Sequence, residues 1–146
     1  MEKANILLEN AGYFRERNVD VSAILHMYEE CGYHYNAKQR QFIEKYAYLE
    51  IHYIHPIWEQ NMLLRLNPIE AQKSITMDVV EEYNGFLKDD LLIIGDIEKE
   101  NMTLFLSEKG LFFAGYDDCL INWGGNFEIM FNKLISGEKG ELQIIE

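Results

Sequence analysis

The histidines are the first residues of this chain whose chemistry could support metal binding or catalysis. His52 and His55 are three residues apart in a segment with the two-residue period of a strand, so we expect their side chains on opposite faces. That arrangement prevents joint ligation, because the ligands of a metal must surround one point. His26 falls on the outer side of a predicted helix and His34 in a loop. We therefore predict no metal site.

Asp117 and Asp118 are the second candidate, as a general acid and base. Neighbouring residues on an extended backbone point apart, and no His or Lys lies close in the chain to complete a catalytic set. Aspartates in such positions more often cap or turn the backbone. The chain also lacks a glycine-rich phosphate loop, a Gly-x-Ser-x-Gly motif and a Cys-His framework. We predict no catalytic residues and no cofactor, so a binding role is the expected function.

The acidic residues are concentrated in one half of the chain. The net charge is −12; residues 1–73 hold ten acids and eight bases, whereas residues 74–146 hold fifteen acids and five bases. Direct binding to nucleic acid is not expected, since phosphate contacts need Lys and Arg. A basic protein partner would instead be steered toward the second half. The alternative is that the acids only keep a small domain soluble.

Length and composition indicate one domain, 1–146, in a reducing compartment. The core is expected within about 4–137, followed by a short tail, 138–146, without a packing pattern. Cys31 and Cys119 match no metal or redox spacing and are expected to be buried free thiols. No segment has the length of a membrane span or the core of a signal peptide. We expect a cytoplasmic protein without membrane contact.

Helical periodicity and capping residues predict three short helices at the start. Apolar residues share one helical face from Ala4 to Ala11, and Asp20 caps a second helix that Gly32 ends. Asn36 and Gln39 form a capping box for the third helix. The first part of the chain is therefore expected to be helical.

The period then changes to two, which predicts strands at Leu49–Ile54 and Met62–Leu66. Asn67 and Pro68 open a short helix, and Thr76 caps another that stops at Asn84-Gly85. The apolar run 91–94 predicts a central strand, followed by a polar turn over 96–101.

The stretch from Met102 to Leu120 predicts the central hairpin of the domain. Its two strands flank a Ser-Glu-Lys-Gly turn that ends at Gly110, and its aromatic rings offer the largest apolar area of any segment. Asn126 then caps a last helix, which Gly137 closes. Helices first, then mostly consecutive strands, then a closing C-terminal helix predict an α+β fold with an antiparallel sheet.

Four segments, in the expected order between about Ala11 and Gly137, resemble the SUKH superfamily of bacterial immunity proteins, specifically its third subfamily. They are Ala11-Gly12-Tyr13-Phe14-x-x-Arg17-x-Val19-Asp20, Asn67-Pro68, Leu92-Ile93-Ile94-Gly95 and Gly110-x-x-x-x-Gly115-Tyr116-Asp117-Asp118. The resemblance implies a SUKH-like α+β fold and a non-enzymatic task, the binding and neutralisation of a cognate toxin domain, often a nuclease. We expect the matched positions to be chiefly structural.

The resemblance and the charge asymmetry together predict a partner-binding surface. A nuclease has a basic cleft, so an inhibitor can place carboxylates where phosphates would bind. Aromatic residues would anchor such an interface. The expected carboxylates are Asp78, Glu81, Glu82, Asp89, Asp90, Asp96, Glu98, Glu100, Asp117 and Asp118, and the nearest aromatic residues are Tyr83, Phe86, Tyr116 and Trp123.

Two other classes of function remain open at this point. A regulatory scaffold could recruit a different cellular partner through the same surface, because SUKH-type domains also resemble eukaryotic cell-wall regulators. A small hydrolase would require a deep pocket that brings several of Glu50, His52, Asp117 and Asp118 together.

Overall fold

The computed structural model describes residues 2–98 and 101–145. These residues form six helices and seven strands joined by loops. The strands form one antiparallel sheet whose order follows the sequence. The predicted α+β class, with N-terminal helices and a C-terminal helix, is confirmed. The helices are α1 (Glu2–Asn10), α2 (Ser22–Cys31), α3 (Ala37–Tyr46), α4 (Pro68–Gln72), α5 (Met77–Leu87) and α6 (Phe127–Ser136). The strands are β1 (Glu50–Ile54), β2 (Asn61–Arg65), β3 (Leu91–Glu98), β4 (Met102–Ser107), β5 (Phe112–Tyr116), β6 (Cys119–Gly124) and β7 (Glu141–Ile144).

Both faces of the central strands are covered by helices. On one side, the α6 face, the ring of Phe112 lies 5.3 Å from Phe42 of α3, which is also 5.3 Å from Phe127 of α6. On the other side, the α5 face, the ring of Phe105 lies 6.0 Å from Tyr83 of α5. The predicted hairpin is confirmed. Its successive side chains alternate between the α6 face and the α5 face, and most of them are buried on either face.

Local capping signals place most of the helix ends. The capping box of Asn36 and Gln39 is present, and the side chains of Asn67 and Asn126 accept hydrogen bonds from the first turns of α4 and α6. Asp20 accepts a hydrogen bond from Ser22 N–H, although the cap position of α2 belongs to the residue between them. These caps fix where the helices meet the sheet.

Two predicted boundaries are wrong because distant partners override the local signal. Helix α5 continues through Asn84-Gly85 to Leu87, since the Asn84 amide oxygen accepts a hydrogen bond from Leu91 N–H at 2.9 Å and fixes the following loop instead. Strand β3 extends beyond Gly95, where a turn was expected, because Asp96 pairs with Arg65 of β2. Cys31 and Cys119 are free thiols as predicted, but both are half-buried rather than buried.

The tail is more ordered than its sequence predicts. Residues Glu141–Ile144 form β7, which pairs antiparallel with β6, and the N–H of Ile145 donates to Asp118 O at 2.7 Å. Ile145 is buried. Main-chain hydrogen bonds hold this strand in place, so it needs no apolar periodicity of its own.

Candidate partner-binding surface

The turn between β5 and β6 is fixed to α5 by one tyrosine. Tyr83 O–H donates to Asp117 O at 2.7 Å, and its ring packs on Gly115, where a Cβ atom would lie only 2.9 Å from the ring carbon Cε2. Asp117 has a φ of 49°, in the left-handed region that aspartate tolerates better than most residues. The position of this turn relative to α5 is therefore set by packing as well as by a hydrogen bond.

Three carboxylates lie near the turn between β5 and β6: those of Glu82, Asp117 and Asp118. All three residues are exposed, and none forms an ion pair within residues 2–98 and 101–145. Burial, and then the neighbouring charge of Asp117 and Glu82, raises the pKa of Tyr83 to about 12. The phenol therefore stays protonated, and keeps its hydrogen bond, to a higher pH than an ordinary tyrosine would.

Two exposed aromatic residues are close in the chain to these carboxylates. Phe86 lies one helical turn after Glu82 on α5, and Tyr116 precedes the turn on the α6 face; both side chains are 43% exposed. Exposed aromatic rings beside carboxylates combine apolar area with charge, as interface anchors do. We call these five residues, Glu82, Phe86, Tyr116, Asp117 and Asp118, the acidic turn surface.

Asp89 and Asp90 form a separate group at the opposite end of β4 and β5. Lys109 N–H donates to Asp89 Oδ1 at 3.3 Å, and the Lys109 ammonium donates to Lys88 O at 3.3 Å. Glu81 faces the same end, where it borders a groove with Asp90. The two lysines offset part of the negative charge of this group.

The remaining predicted residues have different surroundings. Asp96 accepts two hydrogen bonds from Arg65, at 3.1 and 2.8 Å, and this contact raises the pKa of Arg65, so the carboxylate is already neutralised. Glu98 and Asp78 are exposed, at the end of β3 and on the outer side of α5, and Glu100 lies outside the described residues. Trp123 is only 6% exposed and cannot anchor a partner where it stands. We therefore leave Trp123 and Asp96 out of the acidic turn surface.

Sequence reasoning missed an exposed apolar tip between β1 and β2. Ile57 is 67% and Trp58 57% exposed, and the Trp58 ring stacks on His55 with 4.0 Å between centroids. The Nδ1 atom of His55 accepts hydrogen bonds from the N–H groups of both residues, each at 3.2 Å. The available signal was an Ile-Trp pair outside any periodic pattern, directly after Pro56.

The residues that a hydrolase would need do not come together. Glu50 and His52 lie on β1, whereas Asp117 and Asp118 lie between β5 and β6. Four strand spacings separate these positions, about 19 Å at about 4.8 Å for each spacing. The constellation that the hydrolase alternative requires is not assembled.

A comparison with protein families found a match for this chain. The family model described as SUKH-3 immunity protein matches residues 1–137. The chain belongs to the SUKH-3 immunity protein family. Immunity proteins act by binding a cognate toxin, so the role of this SUKH-3 protein is immunity through protein–protein interaction.

Searches of curated proteins and of solved structures each found no match. Among the described residues, no helix of this SUKH-3 protein has the length and apolar character needed to cross a membrane.

Tyr83→Phe tests the connection between α5 and the turn. The variant is expected to lower the free energy of unfolding by about 1 kcal/mol at pH 7, because Asp117 O loses its donor. The folded pKa of about 12 lies above the value near 10 of an unfolded tyrosine, so the wild type loses stability as the pH rises from about 10 to about 12, while phenylalanine does not titrate.

Urea denaturation of both proteins from about pH 7 to about pH 12 measures this effect. The stability difference between wild type and Tyr83→Phe should narrow above about pH 10, and the ionisation of the other tyrosines cancels in the comparison. A difference that is constant or grows with pH would contradict the burial of the Tyr83 phenol beside Asp117, which raises its pKa.

Proposed function

We propose that this immunity protein acts in the cytoplasm against a nuclease-type toxin and occupies the basic substrate cleft of that toxin with the acidic turn surface. The observation that carries the proposal is the set of three exposed carboxylates, Glu82, Asp117 and Asp118, without cationic partners among the described residues. Such carboxylates are available to lysines and arginines of a partner.

A nuclease cleft supplies the complementary chemistry. Its cationic side chains bind backbone phosphates, and carboxylates at similar spacing can take the place of those phosphates. The exposed rings of Tyr116 and Phe86 provide apolar area for close contact, while the Tyr83 hydrogen bond holds the turn before binding. Preorganisation of this kind reduces the entropy lost on association.

The charge environment favours the acidic turn surface over the Asp89–Asp90 loop. Lys88 and Lys109 lie beside that loop and would repel a basic partner. Asp78 and Glu98 remain exposed and extend the negative field around the turn. We therefore assign the central contact to Asp117 and Asp118, with Asp89, Asp90 and Glu81 in a peripheral role.

Co-expression tests the proposal. The protein is expressed in bacteria together with the toxin domain encoded beside its gene, and survival of the cells and integrity of their nucleic acid are measured. Wild type should protect, whereas D117K/D118K should weaken toxin binding by roughly a hundredfold and abolish protection. D89K/D90K carries the same change of charge and should lose less toxin affinity and less protection than D117K/D118K.

Two outcomes would overturn this proposal. Unchanged affinity in both charge-reversed variants would remove the acidic surface from the interface. A toxin that leaves nucleic acid intact while this protein still neutralises it would show that the partner is not a nuclease.

A further inference from the structure

The two edges of the sheet are covered to different extents. At the first edge α1 packs beside β1, and a groove there is lined by Lys3, Leu7 and His52, among others. At the other edge β7 packs extensively only against β6, among the described residues. An uncovered edge strand presents backbone groups that can pair with another chain.

The hydrogen bond of Ile145 shows which backbone groups of β7 point outward. Its N–H donates to Asp118 O, on the side of β6. Alternate residues of a strand direct their backbone groups to the same side, so Gln143 also faces β6. The N–H and C=O groups of Leu142 and Ile144 therefore point toward the open edge.

The side chains of the same two residues form an apolar face. Ile144 lies opposite Cys119, which lies opposite Tyr116, and Leu142 lies opposite Ile121. Leu142 is 57% and Ile144 55% exposed. These five side chains, which we call the β7 apolar face, continue the α6 face of the sheet outward beyond its helices.

Charge determines what kind of strand fits beside β7. Glu141, one residue before Leu142, projects to the opposite face of the strand, and Asp117 and Asp118 lie where β7 ends. Opposite charges on neighbouring strands stabilise a pair, and like charges destabilise it. An added strand should carry apolar residues toward Leu142 and Ile144, alternating with lysine or arginine toward Glu141.

We propose that β7 receives a strand of this pattern from the toxin, so that the toxin extends the sheet beside the acidic turn surface. The proposal rests on the proposed function, because it assigns the second half of the same interface. A second copy of this chain is the weaker occupant, since it would bring a net charge of −12 and the same carboxylates to the edge. Backbone pairing would give affinity, and the alternating side chains would give specificity.

The experiment uses a peptide, so it does not depend on neutralisation of a toxin. An octapeptide of alternating valine and lysine is titrated into the isotope-labelled full chain, and amide resonances are followed by NMR. The resonances of Leu142 and Ile144 should shift and saturate, whereas a valine–glutamate octapeptide should bind roughly tenfold or more weakly. The variant L142K/I144K should no longer bind the lysine peptide. The control I54K/I57K should still bind it, although it carries the same change of charge on exposed residues near the other edge.

Each result decides the inference separately from the proposed function. If β7 resonances do not respond to the lysine peptide, or if the glutamate peptide binds equally well, strand addition is overturned even where D117K/D118K abolishes protection. Equal binding by L142K/I144K and I54K/I57K would also overturn it. Loss of lysine-peptide binding in L142K/I144K but not in I54K/I57K would support strand addition, whatever class of toxin is neutralised.

Discussion

The variant Gly95→Ala is expected to lose about 3 kcal/mol or more of the free energy of unfolding. A Cβ atom at Gly95 would overlap the carbonyl oxygen of Arg65 and lie 3.0 Å from Leu66 Cα, so the clash is with the backbone of β2. No change of rotamer relieves such a contact. Gly95 also follows a bulge in the pairing of β3 with β4, which ties the position to two neighbouring strands.

Urea denaturation followed by circular dichroism measures this loss, with Gly85→Ala as the matched control. Gly85 lies in α5 with nothing within 4 Å of its would-be Cβ, so alanine there should raise stability by about 0.5 to 1 kcal/mol. If Gly95→Ala were as stable as wild type, β2 and β3 could not approach as closely as described.

The triple variant E82Q/D117N/D118N is expected to bind the toxin roughly a hundredfold more weakly, or about 3 kcal/mol. The amides keep the shape of the carboxylates, and Tyr83 donates to the main chain of Asp117, so the turn should keep its conformation. Only the charge is removed. Calorimetric titration with the toxin gives the affinity.

The control E9Q/E16Q/E29Q removes three charges from exposed residues in the first half of the chain. It should change the affinity by less than about threefold, since screened charges outside an interface act weakly. Equal losses in the two triple variants would mean that total charge, rather than the acidic turn surface, attracts the toxin.

Signals that act within four residues predicted the fold well. Asn36, Asn67 and Asn126 were identified as helix caps because a cap and its partner are close in sequence. The boundaries at Asn84 and Asp96 were wrong because their partners, Leu91 and Arg65, lie seven and 31 residues away. Such contacts become visible only when the sheet is assembled.

The candidate surface could be predicted only as a charge imbalance. The sequence lists the carboxylates, but the bond from Tyr83 to Asp117, 34 residues away, decides which of them share one end. Another long-range contact pairs Asp96 with Arg65 and so excludes Asp96 from the candidate surface. Trp123 has the right residue type for an anchor, yet packing buries it.

Three residues of the family-like segments, Arg17, Gly95 and Gly115, have structural roles in this protein. Arg17 donates to the carbonyl oxygens of Lys45 and Ala47, at 2.7 and 2.8 Å, and so holds the N-terminal segment against the end of α3. Gly95 permits the close approach of β2, and Gly115 provides room for Tyr83.

The salt dependence of toxin affinity tests docking through the acidic turn surface most directly. Calorimetric titrations of wild type and E82Q/D117N/D118N are compared at low and at high ionic strength, because salt screens contacts between charges. We predict that wild-type affinity falls steeply with salt and approaches that of the variant, whose own affinity changes little. Parallel salt dependence in the two proteins, with equal affinity at low salt, would contradict the proposed docking.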